Sequence, residues 1–344
     1  MKSGSKELIL HAFQGRANKI PVYYWLADPE LEAKVGDIVG VRCWFDEFEI
    51  FLREGGPFKR VGEAYRSWSE RLDLDSYPWP NPENLLEEVN RKIEKTIRVN
   101  KDKSFQVEII GPTEYSEYSC APGQTQEARR LDQVFHRFDF AVLSQLNFDK
   151  AIKIHKRFFN LILEGVKRAA ENKVIDSIRI ADDFCHYGGS VYNPEFTQVL
   201  LERQAQLATE IKRKGKYAVL HSDGNITPYI DFLSKHFDGL HPLDVCQKST
   251  VSAALAWSLK LGEIRKCLPE TTFFTGIPIE LLCNKHVSNK ELVRVLKSVI
   301  SNVGTNYLVL TTTHRPYPGW TYYNFEDKVL AINRFVERYP INID

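Results

Sequence analysis

Tyr217-Ala218-Val219-Leu220-His221-Ser222-Asp223-Gly224 is a short apolar run that ends in an imidazole, a carboxylate and a glycine. A run of this length bounded by a turn residue reads as a buried strand, and side chains two apart on a strand leave the same face. His221 and Asp223 therefore project together from the carboxyl end, and Gly224 turns the chain. The same pattern recurs in Ile-Ile-Gly-Pro-Thr-Glu114, Ile-Ala-Asp-Asp183, Leu-His-Pro-Leu-Asp244 and Val-Leu-Thr-Thr-Thr-His314, each apolar at its start and chemically equipped at its end. Strands of this kind separated by helices predict repeated βα units, whose carboxyl ends converge on one mouth in a (β/α)8 barrel. An open doubly wound sheet also binds ligands at those ends. The number of strands favours the TIM barrel.

Working outward, strands are expected at Ile178 to Ala181, Tyr217 to His221, Gly239 to His241, Thr272 to Thr275 and Tyr307 to Leu310, with noisier candidates at Pro21 to Trp25, between Ile38 and Phe45, and at Gln106 to Ile110. Asn193-Pro194 and Thr227-Pro228 each supply a cap and a first-turn proline, Ser288-Asn289-Lys290-Glu291 reads as a capping box, and Asn81-Pro82 opens a helix to about Ile97. With no Gly/Ser-rich or Pro-rich linker to cut at, residues 1–344 are read as a single domain with an N-terminal helical extension.

The chain has 344 residues, 43% apolar and 26% charged, which suits a compact fold and gives disorder no compositional basis. Forty-six basic residues against 45 acidic ones, with no long single-sign run, argue against nucleic acid as a main partner. No stretch approaches a membrane span, and the opening MKSGSKELILHAF lacks the features of a secretory signal. A cytoplasmic protein is expected. Six scattered cysteines without a C-x-x-C pair fit reduced thiols. P-loop, G-x-G-x-x-G, G-x-S-x-G and H-E-x-x-H motifs are missing, which removes the commoner phosphate, dinucleotide, serine-hydrolase and zincin readings.

His221 and Asp223 suit a borderline cation such as zinc, which with an open position would polarise a substrate atom. A histidine oriented by an aspartate in a metal-free network has the same spacing. Alternation sends one of Asp182 and Asp183 to the mouth and the other to the helical layer; Asp183 is the candidate for the mouth. Tyr187 lies in the following glycine-bearing loop. After His314, Arg315-Pro316-Tyr317-Pro318-Gly319-Trp320 forms an aromatic loop able to wall a flat ligand or simply to pack on the surface. Glu114 and Tyr115 offer polar groups at another corner of the mouth, or belong to a solvated loop.

The segment Leu220-His221-Ser222-Asp223-Gly224-Asn225-Ile226 followed by Phe237-Asp238-Gly239-Leu240-His241-Pro242-Leu243 resembles the uroporphyrinogen decarboxylase superfamily, including its cobalamin-dependent methyltransferase branch. Asp182-Asp183, then Gly188-Gly189 and Asn193-Pro194-Glu195, is similar to that family's "DD…GG…SPE" segment, and Thr312-Thr313-His314 to its late-strand histidine or cysteine. The resemblance spans nearly the whole chain. It implies a (β/α)8 barrel acting on a porphyrinogen or on methyl groups exchanged with a corrinoid on a partner protein.

Two departures narrow that. The decarboxylase's arginine-rich "RQAGRY" segment is replaced by Val22-Tyr23-Tyr24-Trp25-Leu26-Ala27-Asp28, so a polyanionic porphyrinogen would lack its expected counter-charges. The H-x-C…C zinc pattern of the coenzyme M methyltransferases becomes His221, Asp223 and His314, a harder set suited to an ether or alcohol oxygen. The expectation is a methyltransferase moving a methyl group from a small-molecule donor, a methoxylated aromatic, to cob(I)amide on a corrinoid protein, with zinc on His221, Asp223 and His314. Catalytic roles fall to those three and Asp183; substrate contacts fall to Glu114, Tyr115, Tyr187, Arg315, Tyr317 and Trp320. A homodimer is compatible with this reading. The alternatives are a methylcobalamin:thiol methyltransferase, a decarboxylase, and a non-catalytic binder of a corrinoid or tetrapyrrole.

Overall fold

Eight strands, all parallel, make the central sheet: β1 (Val22–Tyr23), β2 (Ile38–Cys43), β3 (Ser104–Ile110), β4 (Ser177–Ala181), β5 (Tyr217–His221), β6 (Gly239–His241), β7 (Thr272–Ile277) and β8 (Leu308–Thr312). The computed structural model describes residues 5–26, 28–97, 102–123, 138–316 and 324–341. Hydrogen-bonded neighbours run β1-β8-β7-β6-β5-β4-β3-β2, and helices follow the strands on the outside, the arrangement of a (β/α)8 barrel.

Side-chain carboxylates close the seam between β1 and β2 where no strand ladder does. The Asp37 N–H donates to Val22 O (2.7 Å), and Asp37 Oδ2 accepts from the Val22 N–H (3.0 Å). Higher up, the fully buried Glu32 accepts from Leu26 N (2.8 Å) and Gly40 N (2.9 Å), so one carboxylate spans the gap. This also shortens β1 from the expected Pro21 to Trp25, because the Trp25 and Leu26 N–H groups go to Thr312 Oγ1 and Glu32 and not to a neighbouring strand.

Strands β5 and β6 coincide with the expected ranges. The capping box at Ser288 and Glu291 is formed, and Asn193 caps the helix Pro194–Arg213. Thr227-Pro228 starts only a short 3-10 turn, Thr227–Tyr229, which leads into the helix Ile230–His236. The expected loop after Gly111-Pro112 is a helix, Pro112–Cys120, buried along most of its length.

The amino end of the barrel is plugged. Leu8, Ile9, Ala12 and Phe13 of the helix Ser5–Phe13 pack against the inward side chains Tyr23, Ile38, Val219, Phe274 and Val309. Phe13 stacks on Tyr217 with ring centroids 4.0 Å apart and planes 2° from parallel. Sealing this end leaves the carboxyl end for ligands. All six cysteines are unpaired, and no helix among the described residues is long and apolar enough to cross a membrane.

Phe13→Ala removes one of the four plug side chains, with its stack on Tyr217. Truncation of a buried phenylalanine costs about 3–5 kcal/mol, so urea denaturation should show a midpoint well below that of the parent chain. An unchanged midpoint would mean that the helix does not contribute to the barrel's stability.

Candidate metal centre at the barrel mouth

Strand register decides which side chains meet. Ala181 of β4 pairs with His221 of β5, which pairs with His241 of β6, so the two imidazoles share a rung on the inward face at the carboxyl end. Both are buried, His221 at 3% exposure and His241 at 0%. Burial and the nearby Arg179 push both imidazoles well below their ordinary range, for His221 with His241 adding to the effect, and both are neutral.

Neutrality and one carbonyl fix the protons. His241 Nε2 lies 3.0 Å from Thr312 O, which can only accept, so Nε2 carries the hydrogen. His241 Nδ1 is then an acceptor, and it receives the His221 Nδ1–H at 2.6 Å. The lone pair of His221 Nε2 is left facing the mouth. His314 is oriented alike: its Nδ1–H donates to Arg315 O (2.6 Å), which makes Nε2 the basic atom. Burial lowers the pKa of His314 to about 4.

Those basic nitrogens meet carboxylates. His221 Nε2 is 3.9 Å from Asp183 Oδ1 and 3.9 Å from Asp223 Oδ1, and His314 Nε2 is 3.9 Å from Asp223 Oδ2. The Asp223 N–H donates to Asp183 Oδ1 (2.7 Å), which ties the two acids together. Asp223 Oδ1 is buried without a hydrogen-bond partner. Burial and the Asp183 carboxylate push Asp223 far above the usual carboxylate range. Asp183, His221 and Asp223 together could hold a metal ion, their ligand atoms all lying within 4.8 Å of one another. His314 adjoins this trio across Asp223, with its ring centroid 6.5 Å from that of His221. A nitrogen and oxygen donor set with an orphaned buried oxygen fits zinc.

Gly224 keeps the site compact. It has φ +84°, and a Cβ there would lie 2.5 Å from Cys185 O, so only glycine lets the loop after Asp223 lie against the hairpin Cys185–His186/Gly189–Ser190. Asp182 turns the other way, into the helical layer, where Thr113 N, Thr113 Oγ1, Glu114 N and Gln204 Nε2 donate to it.

The remaining expected residues divide. Tyr115 is not a mouth residue: it is 1% exposed, its hydroxyl accepts from Phe45 N (2.7 Å), and its ring packs against Phe45, Phe48 and Phe158. Its place in a buried helix, and not in a loop, is the reason. Glu114 lines a cavity of about 340 Å³ with Arg42, Trp44, Tyr118 and Arg315. Tyr187 is exposed, in the field of Asp244, Lys248 and Glu280. Tyr317 and Trp320 lie outside the described residues.

Three features of the site carry little or no local signal in the sequence. His241 was visible only as a strand end, not as the group that sets the His221 tautomer. Trp25 packs its ring against His221, His241 and His314 at centroid distances of 5.0, 5.5 and 5.2 Å. One inward layer below the imidazoles, Arg42, Glu108 and Arg179 share a rung. Arg179 is fully buried and ion-paired with Glu108, Arg42 Nε lies 2.6 Å from Glu108 Oε1, and the Arg179 guanidinium sits 4.3 Å from the Trp25 ring centroid. A charge in the middle of the strand Ser-Ile-Arg-Ile-Ala was the available signal. The rung faces a cavity of about 460 Å³ that also touches Trp44 and Arg315.

The chain matches no protein-family model and none of the curated proteins. Among solved structures, its fold is similar to that of a methyltransferase from Methanosarcina mazei, with TM-score 0.62 and 15% sequence identity over 97% of this chain and 99% of that one. A B12-independent methionine synthase from Shewanella sp. W3-18-1, solved with selenomethionine, reaches TM-score 0.42 at 14% identity over 73% of this chain and 65% of that one, too low to bear an argument. At these identities the likeness speaks for the fold alone.

Folding raises the pKa of Asp223, so its contribution favours the folded state at acid pH and is lost as pH rises through the raised value. In metal-free protein, Asp223→Asn should therefore melt higher than the parent at pH 8 and show a flatter pH dependence, while losing zinc binding. Identical melting curves from pH 5 to 8 would refute this repulsion between Asp183 and Asp223. His241→Phe should weaken zinc binding by about 10–100-fold in calorimetry; an unchanged affinity would show that the proton chain does not orient His221.

Proposed function

We propose that this protein is a methyltransferase that moves a methyl group from a methylated donor, a methoxylated aromatic undergoing O-demethylation, to the cob(I)amide of a corrinoid protein. The observation that carries the reading is the cluster of two imidazole Nε2 atoms and two aspartate side chains at the barrel mouth, with His221 Nε2 3.9 Å from both aspartates and His314 Nε2 3.9 Å from Asp223. His221 and Asp223, with Asp183 and His314 beside them, would hold zinc. Zinc bound there supplies a Lewis acid that makes a departing ether oxygen a better leaving group.

The chain's own residues align and exclude. His241, pinned on Thr312 O, holds the His221 ring so that Nε2 and not Nδ1 faces the ligand. Trp25 gives a flat wall beside all three imidazoles, suited to an aromatic donor. The N-terminal helix seals the far end and takes no part in covering the mouth, where a partner's corrinoid must approach. Positioning of this kind is the protein's main contribution to a group transfer between two bound reactants. Support from the fold comes from the likeness to the Methanosarcina mazei methyltransferase.

A second reading has one observation in its favour. The cations expected after β1 are missing, but Arg42, Arg179 and Arg315 bring guanidinium groups to the same interior from elsewhere. Decarboxylation of an acid of few carboxylates is therefore chemically accommodated, whereas one interior rung does not neutralise a porphyrinogen's many.

The deciding assay incubates zinc-loaded protein with 4-methoxybenzoate and cob(I)alamin, following loss of the Co(I) absorption and appearance of the phenol. Methyl transfer is expected, falling by at least about a hundredfold in His221→Ala and His314→Ala. Release of carbon dioxide without methyl transfer, or transfer from methylcobalamin to a thiol alone, would overturn the assignment. Retained corrinoid binding with no turnover, and no response to those substitutions, would favour a non-catalytic binder.

A further inference from the structure

We infer that the arginine layer below the imidazoles is an anion subsite: the substrate handled at the mouth bears a carboxylate that docks on Arg179 and Arg42, with Arg315 closing over it from the loop after β8. Two guanidinium groups in the rung share one carboxylate, Glu108. Arg179 has 0% exposure, and besides Glu108 its guanidinium has only the buried Tyr23 hydroxyl beside it, with Nε and NH1 short of well-formed hydrogen bonds. A buried cation with unused donors is costly unless something completes it, and this one lines the cavity of about 460 Å³.

Carboxylates reach the cavity too, Asp28, Glu30 and Glu32 among its lining. Glu32 keeps its charge but is held at the seam by two backbone N–H groups, and Asp28 accepts from the N–H groups of Glu30 and Leu31 at the start of their helix. Arg91 and Lys92 on the outer wall are paired with Glu88. Arg315 lies near enough to Arg42 for the two to repel, with Glu108 and Glu114 as the opposing charges. A planar carboxylate matches the fork of a guanidinium, which makes it the oxyanion this layer fits.

The subsite lies one layer below the metal centre, whose Asp183 and Asp223 line a separate cavity of about 210 Å³. Glu108 pairs with Arg179, and Ala181, two residues further along the same strand, pairs with His221. Two residues of strand are about 6.6 Å, the reach of one para-disubstituted ring. Trp25 lies along that path, with His221 and His314 against its ring and Arg179 also over it. A ligand with an anionic end and a reacting end thus has a place for each.

That the bound acid is a methyl donor rests on the proposed function; the anion subsite itself does not. The test uses the full chain without metal, so that a carboxylate cannot bind through zinc, and titrates 4-methoxybenzoate, 4-methoxybenzamide and 4-methoxyphenylphosphonate by calorimetry. The acid should bind about tenfold or more tighter than the amide, and the preference should vanish in Arg179→Met. Because Arg179 is buried and its replacement can unfold the chain, Arg315→Met and Arg42→Gln provide the second measurement, and each should cut the preference severalfold with the fold intact by circular dichroism. Equal binding of acid and amide, no binding of either at millimolar concentration, or tighter binding of the phosphonate would overturn the carboxylate subsite. Acid preference without methyl transfer upholds the subsite and removes the methyltransferase reading; equal methyl transfer from acid and amide does the reverse.

Discussion

A chain of two hydrogen bonds sets the chemistry at the mouth of this barrel. Thr312 on β8 offers a carbonyl, His241 on β6 must therefore hold its proton on Nε2, and His221 on β5 must hold its own on Nδ1. Three strands distant in sequence are joined by a proton order that none of them specifies alone. Its outcome is a buried imidazole nitrogen turned toward two partly exposed aspartates. Without that order, His221 could present an N–H to Asp183 and Asp223, and the cluster would be a satisfied ion pair instead of a site short of positive charge.

The interior carries two opposite imbalances, one above the other. At the mouth, two aspartates crowd one site; one inward layer down, two guanidiniums share a carboxylate. Each is unfavourable in a low-dielectric setting, and the favourable burial lies elsewhere, in the shell between strands and helices and in the plug at the amino end. Trp25 touches both layers, with the Arg179 guanidinium over its ring and imidazoles at its edges. An aromatic ring suits that position because its face attracts the cation and its bulk excludes water from the histidines. The division of labour follows barrel logic: stability at the closed end and the outside, unmet electrostatic demand at the open end.

Much of the fold was legible because parallel strands buried on both faces leave compact apolar runs, and capped helices leave start signals. Tyr217–His221 and Gly239–His241 could be delimited to the residue from such runs. The alternation that separates Asp182 from Asp183 is also a local property, and the two do point to different layers, one toward Thr113 and Gln204 and the other toward His221. Tyr115 misleads for the same reason: after a Gly-Pro turn its neighbours look like a polar loop, yet the segment is a helix whose surroundings bury even its carboxylates. Nothing within the segment tells how much protein covers it.

What the sequence determines by itself is the set of groups at the strand ends and the face each leaves from, because a period of two residues is fixed by the backbone. Register between strands, the seam that Glu32 closes, the protonated nitrogen of each imidazole and the stacking of an arginine layer beneath a histidine layer were decided only by the tertiary structure. These depend on distances between residues up to nearly three hundred positions apart, such as Trp25 and Thr312. No local periodicity encodes such distances, and packing sets them only when the barrel closes.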